Sequence, residues 1–558
     1  MTTFSIESGP LQSALEDAYK RLDRTCFADA LWRKQLDVWS ADPSVQSLIA
    51  TRLGWLEALD VVTPQLPRLR AFAEAVRKDG FTHVVLLGMG GSSLAPEVLR
   101  QILASQNSDP SFHVLDSVDP DAVRAAMAHA ATSLFIVASK SGSTIEPTTM
   151  AAEAKRRVIE AGHSQWASRF VAITDEGTVL HRSAIADGYR DVFVNPSNIG
   201  GRYSALSLFG MVPAALMGLD LDRLLAGARV MESSCRLPNA LENPGLALGA
   251  LMGAGFERGR DKMSLLVPER LESFGLWVEQ LVAESTGKHG KGALPVVDEP
   301  LGRPDEYGSD RAFVAISTDR DAPDEDRLAA LEAAGHPVLR LSTRIDGLGA
   351  EFFRWEFATA VAGAALGINP FDEPNVSEAK EKTKALLTAF ASTGSLPTGT
   401  PIASADGIDA FSPTITGKSP AGVVRAALDS LRPRDYVAFL SYLPAASDVE
   451  VKIGEIREGI RTKHHVASTF GVGPRYLHST GQYHKGGPNT VLAFVVTNDD
   501  ETQTEIPGAG YTFSTLKQAQ ALGDAETLAA HGRRVVRLHL NSGTTVSGLE
   551  TVFADALR

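Results

Sequence analysis

Between residues 83 and 195 the chain alternates short apolar runs with longer stretches that suit helices, and this alternation restricts the fold more than any other feature. The apolar runs begin at His83, Phe112, Leu134, Arg169 and Asp191. Each of the first four is followed by ten or more residues that can form a helix. Because crossovers of this kind join parallel strands, the pattern predicts a parallel sheet covered by helices on both faces.

A second alternating region follows a helical stretch at about 204–258. Three ranges complete the pattern: helical residues 1 to about 80, a loop at 392–420 rich in Gly, Pro, Ser and Thr, and a C-terminal remainder of strands and helices. We therefore predict an α/β fold with two doubly wound parallel sheets, one in each half. Residues 1–235 would form a helical arm with the first domain, and residues 236–558 the second domain with a C-terminal extension.

Composition limits the class of protein. The chain has 558 residues, of which 44% are apolar, and its only cysteines are Cys26 and Cys235. Two distant cysteines give no disulfide framework and no thiolate metal cluster. The N-terminus lacks the pattern of a signal peptide, and no apolar stretch is long enough to span a bilayer. A net charge of −13 argues against nucleic acid as a partner. We expect a cytoplasmic protein with neither a membrane nor a nucleic-acid partner.

The turn after the first apolar run is rich in glycine. It reads Gly88-Met-Gly-Gly-Ser-Ser and lies directly before a predicted helix. It resembles a dinucleotide-binding fingerprint, but Ser93 stands where the third glycine would be. Asp116, at the end of the next run, could be interpreted as the ribose-binding acid. A tight turn between strand and helix is at least as good an interpretation.

The turn after the third run combines hydroxyl groups with a lysine. Ser139-Lys-Ser-Gly-Ser-Thr contains four hydroxyl side chains between a strand and a helix. Hydroxyls and backbone N–H groups at a helix N-terminus form a cradle for a phosphate dianion. One hydroxyl would suffice as a helix cap, so four favour an anion site.

A carboxylate lies near the end of a predicted apolar helix. Glu284 follows Glu279-Gln-Leu-Val-Ala and precedes Ser-Thr-Gly-Lys, which would end the helix. A lone glutamate in such a place is usually a solvated surface residue, and only its combination with the other segments suggests chemistry.

Five segments in order resemble the glucose-6-phosphate isomerase family, and especially the isomerase portion of bacterial transaldolase–isomerase fusion proteins. The segments are Gly88–Pro96, Ser139–Glu146, Gly200–Ser204, Gln280–Lys288 and Phe371–Lys380. The resemblance implies two domains of sugar-isomerase (SIS) type with an active site between them. It also implies a sugar phosphate substrate, no cofactor or metal, and a possible homodimer.

The resemblance assigns roles residue by residue. The phosphate would be held by Ser139, Lys140, Ser141 and Thr144. The sugar would be lined by Gly88, Gly90, Gly91, Ser92, Gly201 and Gln280. The catalytic groups would be Glu284 as the base, Arg202 at the reacting carbons, and Lys380 with a histidine for ring opening.

The chemistry independently suits these residue types. Moving a carbonyl between C1 and C2 requires a base that takes a proton from one carbon and returns it to the other, which Glu284 can do. Arg202 keeps its charge and can stabilise the enediolate oxygen.

Two positions depart from the family. The usual ring-opening histidine would lie between Glu284 and Lys380, but His289 and His336, the histidines of that interval, lack the expected neighbours. We therefore predict that His484 opens the ring, with His478 as second choice. The other departure is Glu373, where the family commonly has glutamine; this affects the expected sugar and not the reaction class.

Other functions remain open. Within the same reaction class, the substrate could be mannose 6-phosphate or a 6-sulfo sugar. The chain could instead be a sugar-phosphate sensor, although a sensor needs no base such as Glu284. A nicotinamide dehydrogenase is the third alternative and predicts NADH binding at Gly88–Gly91.

Overall fold

The computed structural model describes residues 4–105, 110–444 and 447–558. Within them the chain is a mixed α/β protein with three sheets. The predicted α/β class, with two largely parallel sheets and a helical N-terminal segment, is confirmed. The predicted division at residue 235 stays a prediction.

The N-terminal segment is helical but begins with a strand. Its elements are β1 (Phe4–Glu7), α1 (Gln12–Arg24), α2 (Phe27–Trp32), α3 (Pro43–Ala50), α4 (Ala58–Val62) and α5 (Leu66–Lys78). Phe4 and Ile6 alternate with more exposed residues, as in a strand with one packed face. The strand was missed because four residues give little periodicity and its partner lies more than three hundred residues away, with Phe4 opposite Leu341.

The first sheet matches the prediction. Its elements are β2 (His83–Leu87), α6 (Leu94–Leu103), β3 (Ser111–Leu115), α7 (Pro120–Ala126), β4 (Ser133–Ala138), α8 (Ile145–Glu160), β5 (Phe170–Asp175), α9 (Val179–Asp187) and β6 (Asp191–Asn195). The strand order is β3-β2-β4-β5-β6, and all neighbours are parallel. The chain reverses its direction of winding between β2 and β4, where a crevice forms beyond the carboxyl ends of the strands.

The second sheet follows three helices. The elements of this region are α10 (Leu208–Leu216), α11 (Leu221–Ser234), α12 (Pro244–Glu257), β7 (Lys262–Leu266), α13 (Glu272–Thr286), β8 (Leu294–Val296), β9 (Arg311–Ser317), α14 (Glu325–Ala333), β10 (Val338–Ser342), α15 (Leu348–Leu366) and α16 (Val376–Thr393). The strand order is β1-β10-β9-β7-β8. Helix α15 is buried almost throughout and packs against α11, α12 and α13, which places the largest apolar core between the two sheets.

The C-terminal region forms a third sheet, which corrects the expectation of one sheet per half. Its elements are β11 (Ala403–Ala405), β12 (Ile408–Phe411), α17 (Pro420–Asp429), β13 (Tyr436–Ser441), α18 (Ser447–His464), β14 (Ala467–Val472), α19 (Gly481–Gly486), β15 (Val491–Asn498), α20 (Phe513–Ala530), β16 (Arg534–Leu540) and α21 (Val546–Leu557). The order is β11-β12-β16-β15-β13-β14. Apolar runs identify strands but do not show which strands pair, so the pattern alone could not separate this sheet from the second one.

In the described part of the chain, no helix combines the length and the hydropathy that a bilayer-spanning segment requires.

Candidate active site

A cleft of about 470 Å³ lies at the carboxyl ends of the first sheet, and most of the predicted site residues line it. The predicted residues at its wall are Gly90, Gly91, Ser92, Lys140, Ser141, Thr144, Gly201, Arg202, Gln280, Glu284, Lys380 and His478. Gly88, Ser139 and His484 do not line it. Arg52, Asp175 and Glu176 also line the cleft and were not among the predicted site residues. These three residues belong to no recognisable motif.

The glycine-rich turn after β2 is shaped by close backbone packing. Gly90 has a φ of +56°, a left-handed conformation that favours glycine. A Cβ on Gly91 would collide with the carbonyl oxygen of Gly201. The two turns therefore contact each other through their backbones, which accounts for glycine at both positions without a dinucleotide.

Hydroxyl groups gather at the N-terminus of α8. Ser139 Oγ donates to Thr144 Oγ1 at 3.1 Å, and Ser141 Oγ lies 3.3 Å from the same oxygen. Thr144 is the N-cap residue, yet its side chain does not cap the helix. The hydroxyls of Ser141 and Thr144 thus line the cleft at the N-terminus of a helix, a place that favours an anion. Ser139 is buried and accepts a hydrogen bond from Gly142 N, so its place is behind the cradle.

Lys140 is held at the side of this cradle. Its Nζ forms an ion pair with Asp175 and donates to the carbonyl oxygen of Ser197 at 2.9 Å. Burial raises the pKa of Asp175, and the Lys140 ammonium opposes this effect. The lysine therefore contributes positive charge to the cleft while one of its N–H groups is already used by a carboxylate.

Arg202 is buried, with only 4% of its surface exposed, and it is fixed by five hydrogen-bonding and ionic contacts. Nε donates to Ser285 Oγ at 2.7 Å, and Nη2 donates to two backbone carbonyls of the turn before α16. Nη1 donates to Glu373 Oε2 at 2.9 Å and lies 3.8 Å from Glu284 Oε1. A guanidinium held in this way presents a fixed positive charge beside Glu284.

Glu284 lies near the end of α13 and is 7% exposed. Burial raises its pKa above the usual carboxylate value, and Arg202 offsets part of that effect. Glu373 behaves in the opposite way: burial opposes its ionisation, but the contact with Arg202 lowers its pKa overall. The cleft thus holds one carboxylate of increased basicity beside a permanent cation, which is what proton abstraction next to a carbonyl requires.

The turn between α15 and α16 is anchored by Lys288, at the end of the same motif as Glu284. Lys288 Nζ donates to the carbonyl oxygen of Asn369 at 2.8 Å and to Asp372 Oδ1 at 2.6 Å. Burial, with a further contribution from Arg202, lowers the pKa of Lys288 to about 8. The residue stabilises the turn that carries Glu373.

The structure places the two candidate histidines differently with respect to the cleft. His484 is 1% exposed, and its Nδ1 lies 2.7 Å from Tyr436 Oη on β13. Burial lowers its pKa to about 3, so it stays neutral and points into the third sheet's core. The reason is local: Gly481–Gly486 forms the short helix α19, which turns His484 away from the cleft. His289 and His336 do not line the cleft either.

His478, the second choice, lies at the cleft. Its Nε2 is 3.0 Å from Glu146 Oε1, and its carbonyl oxygen accepts from Gln280 Nε2 at 2.7 Å. Glu146 is 2% exposed; burial opposes its ionisation, but His478 lowers its pKa overall. An ionised Glu146 accepts the Nε2 proton of His478 and leaves Nδ1 as the free ring nitrogen.

Lys380 lines the cleft from α16, and its charge contributes to lowering the pKa of Glu146. Within residues 4–105, 110–444 and 447–558, no three or more His, Cys, Asp or Glu side chains are grouped so that they could hold a metal ion.

Comparison with known proteins assigns the family. The family model described as phosphoglucose isomerase matches residues 58–300. The chain is 31% identical to the glucose-6-phosphate isomerase of Parasynechococcus marenigrum (strain WH8102), over 55% of this chain and 63% of that protein, so it spans less than two thirds of that relative. It is 33% identical to the probable glucose-6-phosphate isomerase of Haloarcula marismortui, over 54% of this chain and 78% of that protein.

Among solved structures, a glucose-6-phosphate isomerase from Chlamydia trachomatis has a similar fold. It superimposes with a TM-score of 0.54 at 19% identity, covering 70% of this chain and 89% of that one. The finer resemblance to transaldolase fusion proteins stays a prediction. With most of the Haloarcula relative covered at this identity, the chain belongs to the glucose-6-phosphate isomerase family.

Proposed function

We propose that the protein interconverts glucose 6-phosphate and fructose 6-phosphate. The observation that carries this proposal is the position of Glu284 in the cleft, 3.8 Å from the buried guanidinium of Arg202. A base and a fixed cation in one cleft with an anion cradle match the needs of an aldose–ketose isomerase acting on a phosphorylated sugar.

The substrate would lie across the cleft with its phosphate at Ser141 and Thr144. There the helix N-terminus and the hydroxyls would bind the phosphate oxygens. The reacting carbons would then lie between Gly201 and Glu284, at the opposite wall. Gln280 also lines the cleft and can hydrogen-bond sugar hydroxyls.

Ring opening would be assigned to His478 together with Lys380. Breaking the C1–O5 bond requires a proton to reach O5 and the O1 hydroxyl to lose one, with the two residues as donor and acceptor. His478 is suited to this step because Glu146 Oε1 lies 3.0 Å from Nε2 and fixes the orientation of the ring in the cleft. Both residues come from the same chain as Glu284, so we further propose that one chain carries a complete site; a homodimer stays a prediction.

Glu284 would then transfer the proton between the carbons. Its carboxylate takes the proton from C2, the electron pair forms the enediolate, and the same proton returns to C1 as the carbonyl forms at C2. A hydroxyl proton moves from O2 to O1, so the atoms balance and no electron leaves the sugar. Arg202 would stabilise the negative oxygen of the intermediate.

The test measures fructose 6-phosphate formed from glucose 6-phosphate, with a chelator present and no cofactor added. Native protein should turn over, and Glu284→Gln should lose several orders of magnitude in kcat, because it removes the base but keeps the shape. Turnover that survives the substitution would exclude Glu284 as the base. If the native protein binds the phosphosugar tightly but does not turn it over, the sensor is favoured. If it shows neither turnover nor binding, mannose 6-phosphate and 6-sulfo sugars are assayed next.

We also propose that the protein works in the cytoplasm. Both Cys26 and Cys235 are free thiols, which is compatible with the reducing cytoplasm.

A further inference from the structure

Helix α20 in the C-terminal region carries three buried polar side chains that bond to neighbouring elements. Lys517, Gln520 and Asp524 are all buried, and their spacing of three and four residues places them on one helix face. Each reaches a different neighbour outside the helix. Buried polar groups are costly unless they have partners, so a run of three indicates a specific arrangement.

The outer members of this face connect α20 to the elements around the site. Lys517 Nζ lies 2.9 Å from Asp119 Oδ2, directly before α7 of the first sheet. Asp524 accepts a hydrogen bond from Tyr476 Oη at 2.7 Å. Tyr476 and His478 share the short 3-10 turn Arg475–His478. The helix therefore contacts both the first sheet and the turn that carries the histidine.

Gln520, the middle residue of the three, bonds to Glu146, which is also the partner of His478. Gln520 Nε2 donates to Glu146 Oε1 at 2.7 Å, the same oxygen that accepts from His478 Nε2 at 3.0 Å. Glu146 Oε2 is buried with no hydrogen-bond partner among the described residues. A buried carboxylate needs hydrogen-bond donors, and Gln520 is the side-chain donor that this carboxylate has besides His478 in the described chain.

We propose that Gln520 is a positioning residue for ring opening, which holds Glu146 in the orientation that accepts the Nε2 proton of His478. This inference rests on the proposed function, since ring opening is the step assigned to His478. Without the amide, Glu146 is a less well-oriented acceptor, and His478 loses its fixed tautomer and ring orientation.

The kinetic test isolates ring opening in a Glu284→Gln background, where proton transfer between the carbons is blocked. Exchange between the α and β anomers of glucose 6-phosphate, measured by exchange NMR, then reports ring opening alone. Adding Gln520→Met, which removes the donor but keeps the size, should slow the catalysed exchange about tenfold. If the double variant exchanges the anomers within about twofold of the rate of Glu284→Gln alone, the proposal is overturned.

Gln518→Met is the matched control. Gln518 lies on the same helix, and its Nε2 donates to the carbonyl oxygen of Asn498 at 2.7 Å, away from Glu146. Both variants remove one amide donor, so both should lower the midpoint of thermal unfolding, and Gln520→Met should lower it more because its donor is buried and bonds to a carboxylate. Only Gln520→Met should slow anomer exchange; equal slowing by both would mean a general packing role and would also overturn the proposal.

A spectroscopic measurement separates this inference from the proposed function. In ¹⁵N-histidine-labelled full chain, the Nε2–H signal that His478→Gln removes should shift in Gln520→Met and stay in place in Gln518→Met. This readout needs no turnover. If native protein forms no fructose 6-phosphate but the signal shifts, the isomerase proposal fails while Gln520 still orients His478; an unmoved signal rejects the role of Gln520.

Discussion

Arg202 lies closer to Glu373 than to Glu284: its Nη1 donates to Glu373 Oε2 at 2.9 Å, while Glu284 Oε1 is 3.8 Å away. One guanidinium nitrogen is thus shared unequally between two carboxylates. Glu373 holds the guanidinium closer to itself than to Glu284, and its negative charge also repels that of Glu284. Both effects raise the pKa of Glu284.

Replacing Glu373 by glutamine, the residue more common in the family, should therefore lower the pKa of Glu284. Because the base must be ionised to act, a lower pKa moves the acid limb of the kcat/KM pH profile to lower pH. In the native protein the same limb should lie above the usual carboxylate range, since burial raises the pKa of Glu284. The measurement is kcat/KM for glucose 6-phosphate as a function of pH.

Glu378→Gln serves as the control for this shift. Glu378 lies five residues further on and bonds to Asn375 and His531, with no contact to Arg202. Its replacement should leave the acid limb unchanged. If Glu373→Gln also leaves the limb in place, the sharing of Arg202 has no effect on the base.

Thr144→Val should weaken substrate binding more than it slows chemistry. The hydroxyl lies at the cleft, makes no cap bond to its own helix, and accepts from Ser139, so that its own proton can be donated to a phosphate oxygen. Losing one hydrogen bond to a charged group costs about 2 kcal/mol, so KM for glucose 6-phosphate should rise about thirtyfold with kcat nearly unchanged.

Thr148→Val is the appropriate comparison for Thr144. Thr148 is exposed on α8, and its hydroxyl donates to the carbonyl oxygen of Thr144 at 2.8 Å. Its KM should equal that of the native protein. A rise in KM of the same size in both variants would indicate a disturbed helix and not a phosphate contact.

Lys288→Met should destabilise the fold by about 3 kcal/mol, because it leaves the carbonyl oxygen of Asn369 and the carboxylate of Asp372 without their buried donor. Chemical denaturation of both proteins measures the difference. Lys291→Met is the control, since Lys291 is only partly buried and donates to a single carbonyl oxygen, that of Leu366.

The stability contributed by Lys288 should also depend on pH. Its pKa falls from 10.5 to about 8 on folding, with burial as the main cause. Between these two values the unfolded chain binds more protons than the folded one, so the native protein gains stability relative to Lys288→Met as pH rises through that window. A stability difference that stays constant from pH 7 to pH 10 would contradict the buried, weakly basic lysine.

The sequence was sufficient for the first sheet and for the turns that follow its strands. Five apolar runs became β2 to β6, and residues directly after β2 and β4 had to meet at one edge because parallel strands end together. Glu284 and Arg202 were identified by motif and do lie in the same cleft. Local periodicity and known motifs carry this much information.

What could not be predicted depends on long-range packing. The third sheet requires β12 to pair with β16 across more than a hundred residues, and no local pattern specifies that partner. The contact of Arg202 with Glu373 and that of Gln520 with Glu146 likewise join residues far apart in the chain. The choice between His478 and His484 turned on one short helix, α19, whose direction no spacing rule provides.

The two histidines therefore give the clearest test of the site. His478→Gln should slow anomer exchange of glucose 6-phosphate by two or more orders of magnitude, about the usual contribution of an acid–base group, because the cleft loses its proton donor. His484→Gln should leave anomer exchange close to native while lowering the unfolding midpoint, because it disrupts the buried contact with Tyr436. The reverse result, with His484 essential and His478 dispensable, would restore the original assignment and would require α19 to open toward the cleft when substrate binds.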